Sequence, residues 1–320
     1  MSNLDPYVLI VGSSNMDLNI YSERFPNPGE TVTGGIFKQF LGGKGANQAV
    51  ASARAGSKTR FIGKIGTDAF GDQMISQLKS EGINIEHVLR DSNESSGVAF
   101  ILIDNNGENM ISVAPGANFN LTFEDVQENK EIIKKAKTLV VQMEIPLITI
   151  EKIFKIAGQG NCIKILNPAP LKPIKHSILN DVDILVPNEG ELFRLHSLLN
   201  LKDLKGEKKE KIIQASRNIS EYGVDIIITT LGSRGAIIYD AKKDKISDVP
   251  ALRVQAVDTV GAGDCFNGVL ASMLNQGENL IKSVKYASAA ASIAVTRKGA
   301  QASLPYLSEI KEQYKEYNRK

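Results

Sequence analysis

Short apolar-rich runs at residues 7–11, 59–65, 138–143, 162–166, 183–186 and 225–230 alternate with longer amphipathic stretches, among them 69–81, 123–136 and 147–158. The runs are too short for helices and mostly too continuously apolar for strands with one wet face, so they read as strands buried on both sides. Strands that alternate with helices build a central, mostly parallel sheet sandwiched by helices, an α/β fold of Rossmann-like layering. Ligands of such sheets bind at the carboxyl ends of the strands. No repeat of twenty to fifty residues, low-complexity tract or Pro-rich linker interrupts the 320 residues, so residues 1–320 are expected to form one domain.

Two stretches break the alternation. Residues 18–41 and 97–115 have strand-like content without helices between, and the second contains Asn105-Asn106-Gly107, a hairpin-turn signal between apolar flanks. They read as one small antiparallel β lid projecting from the domain. A lid of this kind closes over a substrate and excludes water; its face also suits an oligomer interface.

With 38 basic and 36 acidic residues the formal charge is +2, which leaves no field of one sign for nucleic acid or a membrane surface. The mixed-sign run 205–211 reads as a solvated helix start. Cys162 and Cys265 are the only cysteines, without metal-ligand spacing, and suit a reducing cytoplasm. The apolar run 8–11 is too short for a signal segment or a membrane span, so a cytoplasmic location is expected. His87, His176 and His196 are scattered and read as ordinary histidines.

Chemistry concentrates at Asp258-Thr259-Val260-Gly261-Ala262-Gly263-Asp264, which runs into an apolar helical segment. Two glycines leave backbone amides bare where a helix begins, so N–H donors and the positive helix end converge on an anion hole. Asp264 stands beside it in the first turn, placed to take a proton from a nucleophile, although acids are common there simply as caps. A dinucleotide fingerprint would need a third glycine where Phe266 stands, and no Walker-type P-loop is present. Gly42-Gly43-Lys44-Gly45-Ala46-Asn47-Gln48-Ala49 joins the lid to a helix expected over 46–55, bringing an ammonium and an amide to one close-approach turn. Asn15 and Asp17 share a face if extended and suit a vicinal diol; a turn cap is the alternative. Glu144 and Glu191 follow strands at the same carboxyl edge, Glu191 suiting either the water shell of Mg²⁺ or a capping box.

Together with Asn167-Pro168-Ala169-Pro170, Pro187-Asn188-Glu189-Gly190-Glu191, Thr230-Leu231-Gly232-Ser233-Arg234-Gly235 and Thr296-Arg297-Lys298-Gly299-Ala300-Gln301, these segments resemble, in order and over nearly the whole chain, the ribokinase-type family of carbohydrate kinases. The resemblance implies ATP-dependent phosphorylation of D-ribose at its 5-hydroxyl, with Asp264 as base. It assigns sugar binding to Asn15, Asp17, Gly42, Gly43, Lys44, Asn47 and Glu144, and phosphoryl stabilisation to the amides of Gly261, Ala262 and Gly263. It assigns Asn188, Glu191, the 230–235 loop and Ser288 to ATP and its Mg²⁺. It further implies a K⁺ site from Asp258, the carbonyls of Val260, Ala294, Arg297 and Gly299, and Ser303, and a homodimer formed through the lid. Val260 stands where the family often has Thr, Cys265 where Thr or Ser is common, and Ser288 where many members carry a bulkier polar residue. Rival expectations are a kinase for 2-deoxyribose, fructose or a nucleoside, and a non-catalytic sugar-binding regulator.

Overall fold

The computed structural model describes residues 5–319. The chain runs β1 (Val8–Val11), β2 (Asn15–Tyr21), β3 (Ile36–Gly42), α1 (Lys44–Arg54), β4 (Thr59–Gly66), α2 (Ala69–Ser80), β5 (Val88–Asp91), β6 (Gly97–Ile103), β7 (Asn109–Ala114), α3 (Phe123–Glu128), α4 (Lys130–Lys135) and β8 (Thr138–Val141). It continues with α5 (Leu147–Ala157), β9 (Ile163–Leu166), α6 (His176–Asn180), β10 (Ile184–Leu185), α7 (Glu189–Leu198), α8 (Lys208–Ser220), β11 (Ile226–Thr230), β12 (Ala236–Asp240), β13 (Lys245–Val249), α9 (Ala262–Asn275), α10 (Leu280–Ala294) and α11 (Leu307–Tyr314).

Nine strands form the main sheet in the order β13-β12-β11-β10-β9-β8-β1-β4-β5. It is parallel from β5 to β11, and β12 and β13 close one edge antiparallel. Both faces are buried, as the continuous apolar runs require. Leu9 and Val11 of β1 join the cluster under α5 and α7, whereas Val8 and Ile10 join the opposite cluster under α1, α9 and α10. Burying each such side chain contributes about 1.5–3 kcal/mol. Every residue of α9 from Asp264 to Asn275 is buried, the mark of a helix enclosed on all sides. It meets α1 so closely that a Cβ on Gly268 would lie 2.4 Å from the Gln48 carbonyl.

The lid is a four-stranded sheet in the order β3-β2-β6-β7. Its two outer pairings are antiparallel, while the central pairing of β2 with β6 is parallel, because both strands leave the main domain in the same direction. The turn expected at 105–107 links β6 to β7, with Gly107 at φ 81° and the Asp104 carboxylate accepting from the amides of Asn106 and Glu108. The stretch 123–136 is two helices rather than one: Asn129, at φ −92° and ψ 11°, ends α3 and starts α4. The helix expected over 46–55 begins two residues earlier, at Lys44. Among the described residues no helix is long and apolar enough to cross a membrane.

Candidate active site

Four elements converge at the carboxyl edge beneath the lid. β1 ends at Val11 and turns through Gly12–Ser14 into β2, β8 delivers Gln142 to Glu144, and α1 and α9 point their N-termini at the same place. Glycine is required at the crossing. Gly43 caps α1 at φ 85°, where a Cβ would fall 2.7 Å from the Asn15 amide nitrogen, and a Cβ on Gly42 would strike the Asp17 carboxylate at 2.2 Å.

Asp264, buried in the first turn of α9, accepts from Asn47 Nδ2 at 2.9 Å through one oxygen and from Gln48 Nε2 at 2.9 Å through the other. Gln48 also donates to Asn167 Oδ1 at 3.1 Å and accepts from Gln142 Nε2 at 2.7 Å, and Asn167 donates to the Val186 carbonyl at 3.0 Å. A chain of carboxamides from α1 and from the ends of β8 and β9 thus fixes the Asp264 side chain. Ahead of it, Gly261 takes φ 74°, while a Cβ on Gly263 would meet nothing within 4 Å. The start of α9 is thus uncrowded at Gly263, where an anion could approach, while the Ala262 amide donates to the Thr259 carbonyl at 3.3 Å.

Asn15, Asp17, Lys44 and Glu144 are gathered on the lid side. Glu144 accepts from the Ser13 hydroxyl at 2.5 Å and from the Lys44 amide at 3.0 Å, and Asn15 accepts from Asn118 Nδ2 at 2.8 Å. Burial, and then the charges of Glu144 and Asp264, push the Asp17 carboxyl up to about 7, with Lys44 opposing. The Asp264 carboxylate, foremost among four acids, holds the Lys44 ammonium above its usual range although burial works against it. The site is thus a cluster of acids around one half-buried cation.

The segments expected at the nucleotide adjoin this cluster. Asn188 and Glu191 form a reciprocal capping box at the start of α7, each accepting from the other's amide at 2.8 Å, so the capping alternative is realised. Burial raises the Glu191 carboxyl, and Lys44 is among the charges that lower it. Thr230 bridges to Asn188 at the sheet edge, and Leu231 to Gly235 close a tight turn through the bond from the Leu231 amide to the Gly235 carbonyl at 2.7 Å. Gly232 and Gly235 have positive φ, Ser233 lies exposed between them, and Arg234 pairs with Glu189. Ser288 is buried on α10 beside the Tyr317 phenol, with no hydrogen bond to the 230–235 turn among the described residues.

Asp258 joins two loops, accepting from the Val260 amide at 3.0 Å and the Gly299 amide at 2.9 Å. This draws Val260, at the foot of α9, toward the segment that follows α10, where Ala294 accepts from the Arg297 amide at 3.0 Å. The Arg297 guanidinium turns away to Glu309, and the Ser303 hydroxyl donates to the Ala300 carbonyl at 2.8 Å. Cys265 is fully buried, and its burial pushes the thiol far above the usual range, so it is inert.

Sequence reasoning gave no role to Ser13, Asn118 or Gln142, and quoted Gln48 and Asn167 only as motif letters. A glutamine in the first turns of a buried small-residue helix, and a second one straight after a buried strand, were the available signals.

The model of the pfkB family carbohydrate kinases matches residues 5–307. The chain is 37% identical over 305 residues to a ribokinase of Staphylococcus aureus, covering 95% of this chain and 98% of the relative. It is also 37% identical over 306 residues to a deoxyribokinase of Salmonella typhi, covering 95% and 97%. Among solved structures, a ribokinase of Arabidopsis thaliana complexed with ribose and ATP superposes with a TM-score of 0.90 at 31% identity, over 98% of this chain and 99% of the other. The chain therefore belongs to the pfkB family of carbohydrate kinases and is an ATP-dependent sugar kinase.

Proposed function

We propose that the protein transfers the γ-phosphoryl group of ATP to the 5-hydroxyl of D-ribose, giving D-ribose 5-phosphate and ADP. The observation that carries this reading is the Asp264 carboxylate, held through both oxygens by carboxamides in the first turn of α9, beside the uncrowded Gly263. Asp264 takes the proton of the attacking hydroxyl, which contributes roughly 10²–10⁴-fold. The amides of Gly261, Ala262 and Gly263, together with the Lys44 ammonium, receive the charge that develops on the phosphoryl oxygens. Asn15 and Asp17 hold the ring hydroxyls, with Gly42, Gly43, Asn47 and Glu144 shaping the remaining wall. Asn188, the turn 230–235 and Ser288 hold the nucleotide.

Two ions fit the residues present. Mg²⁺ would be held through water by Glu191, whose Oε2 alone is committed to the helix cap, and it would neutralise charge on the phosphates. The set of Asp258, four carbonyls (Val260, Ala294, Arg297 and Gly299) and the Ser303 hydroxyl suits a hard monovalent cation such as K⁺. Its positive charge would lie next to the anion hole, in loops that the Asp258 bridge already draws together. The exposed apolar residues of the lid, Ile36, Phe37, Phe100, Met110, Ile111 and Val113, suit a second copy of the chain and a homodimer. Two buried free thiols agree with a cytoplasmic location.

The test is ADP release from ATP and Mg²⁺ with ribose, 2-deoxyribose, fructose and adenosine, each with and without K⁺. Ribose-selective turnover raised by K⁺ is expected. Preference for 2-deoxyribose would replace the substrate and keep the mechanism, since a site that reads the 2-hydroxyl leaves a buried polar group unpaired with the deoxy sugar.

A further inference from the structure

Between the lid, α2 and the segment following Gly299 lies a cavity of about 400 Å³. Side chains alternate along a strand, and paired residues share a face. In the lid register Met16 pairs with Leu41 and Leu18 with Gln39, whereas Asn15 pairs with Gly42 and Asp17 with Phe40. Met16, Leu41 and Gln39 therefore face away from the side that carries Asn15 and Asp17. They look toward α2 and the segment following Gly299, and these three parts of the chain enclose the cavity.

Its lining has one chemistry. Gln39, Gln73, Gln77 and Gln301 bring four carboxamides to an otherwise apolar lining of Met16, Phe40, Leu41, Ala300 and Ala302, the Gln77 Nε2 already donating to Glu81 at 3.0 Å. A carboxamide both donates and accepts, which matches a hydroxyl group, itself donor and acceptor. Arg54 also lines the space, but its guanidinium is spent on Glu81, at 2.9 and 2.6 Å, and on the carbonyls of Gln301 and Leu304, at 3.0 and 2.7 Å. No free charge is left to select an ion. Gln301 is only 5% exposed, and its Oε1 has no hydrogen-bond partner.

We propose that this cavity is a second binding site, for a neutral polyhydroxylated molecule of about monosaccharide size. Gln39 belongs to the lid and Gln73 to α2, and the bond between them, at 3.3 Å, spans the gap. An occupant braces the lid against the main domain from behind. The brace rests on the sugar-kinase reading above, whereas binding in the cavity does not.

The experiment is ligand-observed saturation-transfer NMR with xylitol, mannitol and myo-inositol, on enzyme saturated with ribose and a non-hydrolysable ATP analogue. Gln39→Ala and Gln73→Trp are compared with the wild type; both positions are exposed, so the fold tolerates them. Transfer to at least one polyol, weakened fivefold or more in both variants, is expected. No transfer to any of the three, or equal transfer in all three proteins, overturns the site. With a polyol that binds, the KM for ribose moves at least twofold in the wild type and stays fixed in Gln73→Trp. A KM that stays fixed in the wild type overturns the brace. If the polyol-free control shows another sugar to be the one turned over, that sugar replaces ribose in both arms.

Discussion

Replacing Asp17 by Asn isolates the cost of keeping a carboxylate in the sugar site. Burial and two neighbouring acids raise its carboxyl from 3.8 to about 7. Between those values the folded protein holds a proton that the unfolded chain has released, so stability falls as pH rises through this window and changes no further above it. A move of that size corresponds to a ceiling of about 4 kcal/mol, and water entry and side-chain relaxation reduce it to about 2 kcal/mol. Urea unfolding of the ligand-free wild type and of Asp17→Asn, at pH intervals from 4.5 to 8, measures the difference. The two are expected to be nearly equal at the acid end, with the Asn variant about 2 kcal/mol more stable at pH 8. The same substitution removes an acceptor for two hydroxyls, so sugar affinity falls while stability rises. In the wild type, sugar binding below pH 7 is expected to release a proton, read by calorimetry in buffers of different ionisation enthalpy. A stability difference that does not vary with pH would refute the reasoning.

Asp264→Asn is expected to lower kcat by 10²–10⁴-fold with sugar binding nearly intact; steady-state kinetics beside direct sugar titration checks this, and loss of binding with kcat preserved would remove the residue from its role. Gln48→Leu takes away one of two donors to that carboxylate. A hydrogen bond to a charged group contributes about 1.5–3 kcal/mol, so kcat falls about ten- to a hundredfold while the KM for ATP stays put, and an unchanged kcat would show that Asn47 alone suffices. Gly261→Ala forces a side chain into a left-handed backbone at φ 74°, 3.2 Å from the Ala300 Cα, and is expected to cost about 1–2 kcal/mol in thermal unfolding together with a fall in kcat. Ile111→Lys combined with Val113→Lys is expected to turn a dimer into a monomer in sedimentation velocity, and a wild type that sediments as a monomer would refute the lid interface.

The main sheet was legible because its strands are buried on both faces, and continuous apolar runs need no partner information to be recognised. The edge strands β5 and β13 were not, since half-exposed segments such as Lys245–Val249 mix charge with apolar residues, and β12, buried from Ala236 to Tyr239, went unread beside the turn at 230–235. The break at Asn129 is a local competition: its side chain donates to the Asp125 carbonyl at 2.8 Å within an otherwise helical pattern. At the site, the glycine turns and acids announced themselves through spacing, because close backbone approach leaves glycine as the one tolerated residue. The carboxamide chain stayed hidden. Gln48 and Gln142 meet only once β1, β8 and α1 are assembled, and nothing in either one's neighbours names the other.

The closeness of α1 and α9 at Gly268 governs when this protein can first work. The donors Asn47 and Gln48 are 217 and 216 positions from the acid they hold, and the helices meet across that same interval. Pairings of such long range are closed late in folding, because the loop entropy must be met before the contact is gained. During synthesis, α1 leaves the ribosome early and waits with its small-residue face uncovered until α9, which begins at Ala262, has followed. A nascent chain halted before that point lacks its acid, and is inert and sticky at once.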